Sequence, residues 1–174
     1  MSRSVEHGRR ASVLRADSLS VCYGPARAVD SVDIEISAGE IVAVMGRSGS
    51  GKSTLLHALA GIRHPDAGQV WYRDRRVDTM ADRERTALRR TEFGFVFQHG
   101  QLIPELTAME NVALPLLLNG WARRTADEAA RAWIHRLGVA GRGRALPAQL
   151  SGGEAQRVAI ARANGHRAFD RIRR

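Results

Sequence analysis

Cysteine and lysine each occur once in these 174 residues, at Cys22 and Lys52. A single cysteine excludes an internal disulfide and fits a reducing compartment. Aromatic residues make up 5% of the chain, and none of them interleaves with a basic stripe. The net charge of +9 therefore does not point to nucleic acid as a partner; an anionic membrane face or plain solubility accounts for it. Long apolar runs are also missing. The clearest, VALPLLL at 112–118, is interrupted by Pro115 and falls far short of the roughly 20 residues a membrane span needs. The basic N-terminus, MSRSVEHGRRASVLRADSLSV, lacks the apolar core of a signal peptide. No repeat, heptad array or low-complexity tract stands out. With 44% hydrophobic and 26% charged residues, this is the composition of one soluble globular domain.

What is present begins with the lysine. Arginine fills every other basic position among the 27, so the one lysine stands where a compact ammonium on a flexible stem is needed. Around it runs IVAVMGRSGSGKSTLLHALAG, residues 41–61. Ile41 to Met45 is an apolar run of strand length, fit for burial on both faces. Gly46, Arg47, Ser48, Gly49, Ser50 and Gly51 form a glycine-rich loop, and Lys52, Ser53 and Thr54 open a helix that Gly61 can cap. The pattern G-x-x-x-x-G-K-S in a strand-to-helix context is a P-loop: backbone N–H groups cradle phosphates, the lysine reaches the terminal ones, and the serine hydroxyl binds magnesium. The helix N-terminus adds roughly half a positive charge aimed at the same anion. A bare glycine turn that happens to hold a lysine is the plainer alternative, and the flanking strand and helix argue against it. The loop does not say which P-loop class is at hand.

Before the loop, VLRADSLSVCYG and AVDSVDIEIS alternate, with Val29, Val32, Ile34 and Ile36 the clearest set, so two antiparallel strands are expected. QVWYR after Pro65 and Gly68 is a further strand, TMADRERTALRR a charged surface helix, and FGFVF at 93–97 a second buried strand ending on Gln98. From there the pattern turns helical. Thr107 with Glu110 predicts a capping box, Pro115 should kink or end that helix, and Thr125 with Glu128 predicts a second box before a helix stopped at Gly138. LSGGE, with Leu150, Ser151, Gly152, Gly153 and Glu154, predicts a third. That stretch is either a helix start and nothing more, or a second anion site with a hydroxyl and bare N–H groups at a helix N-terminus. Local physics does not separate the two.

The order VCYG, GRSGSGKST, FVFQ, LSGGEAQRVAIARA closely resembles the nucleotide-binding domain of ABC transporters, from about Val13 to Ala163. The resemblance implies an α/β fold: a P-loop NTPase of ABC type with a parallel-sheet core, an antiparallel β subdomain and an α-helical subdomain at about 102–150. Residues 1–12 would be an N-terminal tail, 13–163 the nucleotide-binding domain, and 164–174 an aberrant C-terminal tail. It implies ATP and Mg2+ as ligands. Tyr23 would stack on adenine, a contact of a kind worth about 1–3 kcal/mol, and Ser53 and Gln98 would bind magnesium, with Gln98 also sensing the attacking water. Tyr23 as a plain strand aromatic and Gln98 as a strand-end polar residue are the simpler readings of their positions alone. Leu150 to Glu154 would act on the ATP of a second nucleotide-binding subunit in a head-to-tail dimer. The expected partners are that subunit and an integral membrane permease, with the chain cytoplasmic and peripheral on the inner face of the membrane. FGFVFQHGQLIPELTAMENVALPLLLNG resembles the branch serving lipoprotein release, macrolide export and antimicrobial-peptide resistance.

In that family the signature helix leads into an apolar strand ending Asp-Glu and then to a switch histidine. NGHRAFDRIRR at 164–174 offers no such strand, Asp170 is followed by arginine, and His166 falls too early. The expectation is a truncated or frameshifted end that lacks the C-terminal part of the core, with apolar faces and a sheet edge exposed. ATP binding would then be weak, and hydrolysis poor or absent. Two other readings compete: a shortened ATP-binding interaction protein without turnover, and a non-transport ABC ATPase. The latter would place a long coiled coil between P-loop and signature, where this chain has short capped helices.

Overall fold

The computed structural model describes residues 11–98 and 101–165. Most of the N-terminal tail, and the tail from His166 on with Asp170, lie outside the described residues. The chain divides into two units, residues 1–86 and 87–174.

In the first unit, β1 (Ser12–Tyr23) and β2 (Ala26–Ser37) pair antiparallel around a tight Gly24–Pro25 turn, with Tyr23 opposite Ala26. β3 (Ala67–Tyr72) pairs antiparallel with the other edge of β1, and the two-residue β4 (Arg75–Arg76) follows, giving the order β2-β1-β3-β4. The expected alternation in β2 is real but changes phase: Val29 and Val32 are three apart, and Ser31 between them takes φ 47°. That irregularity, answered by Ser18 at φ 47° across the ladder, returns apolar side chains to one face. Ala16, Leu19, Val21, Val29 and Val70 are buried. Helix α1 (Lys52–Leu59) packs on β1 and β2 through its buried Leu55, Ala58 and Leu59. It ends where the sequence places the stop: Gly61 takes φ 63° and donates to Ala58 O, while Ile62 donates to His57 O, the two bonds of a Schellman end. The charged helix is α2 (Asp82–Thr91).

The second unit is helical. α3 (Ala108–Leu118), α4 (Arg123–Arg136) and α5 (Gly152–Asn164) surround Val112, Leu116, Ala126, Ala130, Ile134 and Val158, all buried. Small alanines at these facing positions allow close helix approach. α4 stops at Gly138, φ 69°, with Val139 donating to Ile134 O and Gly138 to His135 O, the same Schellman end as α1.

Three expectations need correction, and of the two outcomes expected at Pro115 one is ruled out. Ile41–Met45 forms no strand: Ile41 is 96% and Met45 88% exposed. FGFVF at 93–97 is likewise extended without a ladder, Phe95 and Phe97 lying 4.6 Å apart as a tilted pair. Apolar content marks a segment as fit for burial, but a parallel strand exists only through its neighbours' backbones, and neither run belongs to a strand ladder among the described residues. Pro115 does not end α3, which runs on to Leu118. Thr125 is not a cap either. α4 starts two residues earlier, at Arg123, which pairs with Asp127 at 3.1 Å in an i,i+4 contact.

Candidate functional site

The loop 46–51 closes against the β-unit. Gly51 takes φ 81°, and a Cβ there would stand 1.9 Å from the Ala28 carbonyl oxygen on β2, so only glycine lets the chain turn into α1 at this approach. Ser50 N–H donates to Arg47 O at 3.2 Å. The Lys52 ammonium folds back over the loop and donates to Gly46 O at 2.9 Å, Arg47 O at 2.6 Å and Ser50 Oγ at 3.3 Å. Three donors meet three oxygens, which is what a compact ammonium does and a planar fork does not. The N–H groups of Lys52, Ser53 and Thr54 have no acceptor among the described residues, and neither does the exposed Ser53 hydroxyl. The start of α1 is therefore an open set of donors with a cation over it, facing solvent.

Tyr23 ends β1, half exposed. Its cross-strand partner Ala26 is two residues from Ala28, the residue that Gly51 touches, so the hairpin end and the loop are neighbours. The guanidinium of Arg63 lies 5.2 Å from the Tyr23 ring centroid. Sequence reading missed Arg63, since nothing in GIRHPDAG marks its arginine as different from the others.

In the second unit, Gln98 is exposed in the turn after Phe97. Ser151 caps α5: its hydroxyl accepts from Glu154 N–H at 3.3 Å, while Ser151 N–H donates to Glu154 Oε2 at 2.7 Å. Arg142 holds the same carboxylate, Nε donating to Oε1 at 2.8 Å. These bonds, Arg142 first and Ser151 next, lower the Glu154 pKa to about 2. Leu150 turns inward and packs on the helical core. Gly152 and Gly153 stay exposed, their N–H groups without acceptors among the described residues. A Cβ on Gly152 would meet nothing within 4 Å, so packing does not require that glycine.

The start of α3 shows the contrast. Its Ala108 and Met109 N–H groups donate to Ala145 O and Gly143 O at 2.8 and 2.9 Å, and Thr107 with Glu110 completes the box. Donors at that N-terminus are consumed within the protein, whereas Lys52, Ser53 and Thr54 N–H on α1 and Gly152 and Gly153 N–H on α5 have no acceptor among the described residues. Asn111, which sequence reading passed over inside an apolar helix, ties the preceding loop down. Its amide donates to Ile103 O and Leu106 O at 3.1 and 2.9 Å and its Oδ1 accepts from Ile103 N–H at 2.8 Å, fully buried.

The ABC transporter family profile matches residues 29–168. The chain is similar to the lipoprotein-releasing system ATP-binding protein LolD of Koribacter versatilis, 44% identical over 137 residues, which are 79% of this chain and 61% of that protein. It is likewise similar to LolD of Xanthomonas campestris pv. campestris, 42% identical over 157 residues, 88% of this chain and 66% of that one. Its fold matches the dimeric structure of MJ0796, a bacterial ABC transporter cassette, with a TM-score of 0.84 at 36% identity, covering 88% of this chain and 70% of that one. A post-hydrolysis dimer of the same cassette, bound to ADP and Pi, gives 0.82 at 35% identity. The chain thus spans about three fifths of the first of these curated relatives. The profile match, the identity and the shared P-loop NTPase fold agree with one another: this chain belongs to the ABC transporter family.

Proposed function

We propose that the chain is the ATP-binding subunit of a bacterial ABC transporter of the lipoprotein-releasing type, working with a second nucleotide-binding subunit and a membrane permease from the cytoplasmic face. The observation that carries this is the open N-terminus of α1, with three first-turn N–H groups unpaired and the Lys52 ammonium resting on loop oxygens. That arrangement suits an anion rich in oxygen acceptors, and its donor set fits a nucleotide polyphosphate. Ser53, exposed and unbonded, fits a magnesium ligand; the ion would supply neutralisation of phosphate charge. Tyr23 offers the base a stacking face. Ser151, Gly152 and Gly153 supply the same kind of open helix start to the phosphate end of a partner's ATP. The relatives' names, and no helix long and apolar enough to cross a membrane among the described residues, are in keeping with a subunit that needs a separate membrane partner.

The direct test is calorimetric titration of the chain with magnesium and ATP. Lys52→Ala removes a charge-assisted donor to phosphate, a contact on the scale of 1.5–3 kcal/mol, so affinity should fall about 10- to 100-fold. Equal binding by both chains would remove the reading.

A further inference from the structure

The loop after α1 is pinned at both ends. Arg63 N–H donates to His57 O at 3.1 Å, at the end of the helix, and Asp66 N–H donates to Ser20 O at 2.9 Å, on β1. Between these anchors the side chains of Arg63 and Asp66 grip one residue. Arg63 Nη2 donates to the Cys22 carbonyl at 3.1 Å, and Cys22 N–H donates to Asp66 Oδ2 at 2.7 Å. The two side chains approach each other at 3.9 Å. Cys22, the residue before Tyr23, is thus held on both its backbone polar groups, and the Arg63 guanidinium lies over one face of the Tyr23 ring. Tyr23 is 51% exposed, which leaves it accessible to a ligand on the side away from Arg63.

We propose that Arg63 is a positioning residue for the nucleotide base: it seats a cation on one face of Tyr23 and presents the opposite face as the stacking surface. The inference rests on the reading in which Tyr23 stacks on the base of ATP. The ring's negative π face attracts the guanidinium, and the cation draws electron density toward itself. The free face then carries less negative charge and repels the π cloud of a stacked purine less. The same contact fixes the ring before the ligand arrives, so less ordering is left for binding.

The test compares ATP with inorganic tripolyphosphate on the full chain, because the ratio of their affinities isolates what the base contributes. Tyr23→Ala should collapse that ratio. Arg63→Gln should lower it by about two- to fivefold, the scale of an exposed cation–π contact, and leave tripolyphosphate binding unchanged. Arg63→Lys, which keeps a cation, should restore most of it. An arginine that served only to hold the Cys22 carbonyl would act on the fold and not on the base, and the ratio would stay at its original value. That result, or an equal loss for both ligands, overturns the proposal while leaving Tyr23 in its role. A ratio unmoved by Tyr23→Ala overturns the stacking reading itself, and this inference with it. Circular dichroism checks that each variant folds; should Arg63→Gln not, Arg63→Met keeps the stem's cover of the ring and removes the cation, with the same expected ratio.

Discussion

At the scale of single residues, the most informative side chain in the helical unit is one that pattern reading discounts. Asn111 falls on the buried stripe of α3, where hydrophobic periodicity asks for Val or Leu, and it is fully buried. Its side chain ties the irregular loop before α3 to the helix, accepting from Ile103 N–H and donating to the Ile103 and Leu106 carbonyls; Ile103 O also accepts from Leu106 N–H at 3.2 Å. Asn111→Leu fits the apolar surroundings yet takes this partner from the half-buried Ile103 N–H and Leu106 carbonyl. On the scale of a polar group left unpaired, the loss should be about 1–3 kcal/mol. Chemical denaturation with an unchanged slope checks it, and a loss under about 1 kcal/mol would mean that the loop finds other partners. Lys52 is the opposite case. Its singularity was visible at once in the composition, and its three bonds to the loop are what a lone compact ammonium among arginines suggests. Arg63 was invisible for the same compositional reason: in an arginine-rich chain, only geometry picks out one that lies over a tyrosine.

At the scale of elements, legibility follows how local the determinants are. The boxes at Thr107–Glu110 and Ser151–Glu154 and the glycine stops at Gly61 and Gly138 all involve residues within about one turn, and the structure has all of them. The expected box at Thr125 is absent because α4 begins at Arg123, which puts Thr125 inside the first turn instead of at the cap. Two predictions belong to α5. The folded pKa of Glu154 is near 2, below the ordinary 4.5, so its contribution to stability is fully present above about 4.5 and is lost as pH falls from there toward 2. Protection of the amides of the first turns of α5, taken relative to their intrinsic exchange rates at each pH, should fall over that window in the unaltered chain and show no such step in Glu154→Gln. An identical profile for the two would assign the acid sensitivity elsewhere. The second concerns Gly152, where a side chain meets open space. Gly152→Asp places a carboxylate in the first turn, where the helix dipole favours it by about 0.3–1 kcal/mol. The fold should hold or gain stability, yet ATP-dependent pairing of two chains should be lost, because the same carboxylate repels a phosphate. Sedimentation with and without ATP reads this out, and pairing undiminished in the variant would leave the glycines without the role proposed.

At the scale of the whole molecule, the parts that resisted sequence reading are the ones whose order is set by distant partners. Ile41–Met45 and Phe93–Phe97 carry the composition of buried strands, but neither run has a ladder. The sequence nonetheless supports the expectation of uncovered apolar surface, and Ile41 and Met45 are where it falls, at 96% and 88% exposure. Burying an isoleucine or methionine is worth about 1.5–3 kcal/mol relative to leaving it in water. An extended apolar segment with free backbone groups is also a template for another chain. Such a surface gains by being covered, either by further polypeptide or by a second copy. The chain on its own should therefore associate as its concentration rises, independently of nucleotide. Replacing Ile41→Lys together with Met45→Gln removes the two most exposed large apolar side chains among the described residues without touching the loop from Gly46 onward. Light scattering across a concentration series should show association in the unaltered chain and a marked reduction in the double variant, with ATP affinity preserved. If the unaltered chain stays monomeric throughout, these side chains do not drive assembly. If association persists equally in the double variant, another surface drives it. Association that instead requires ATP and disappears with Gly152→Asp would trace to the signature surface.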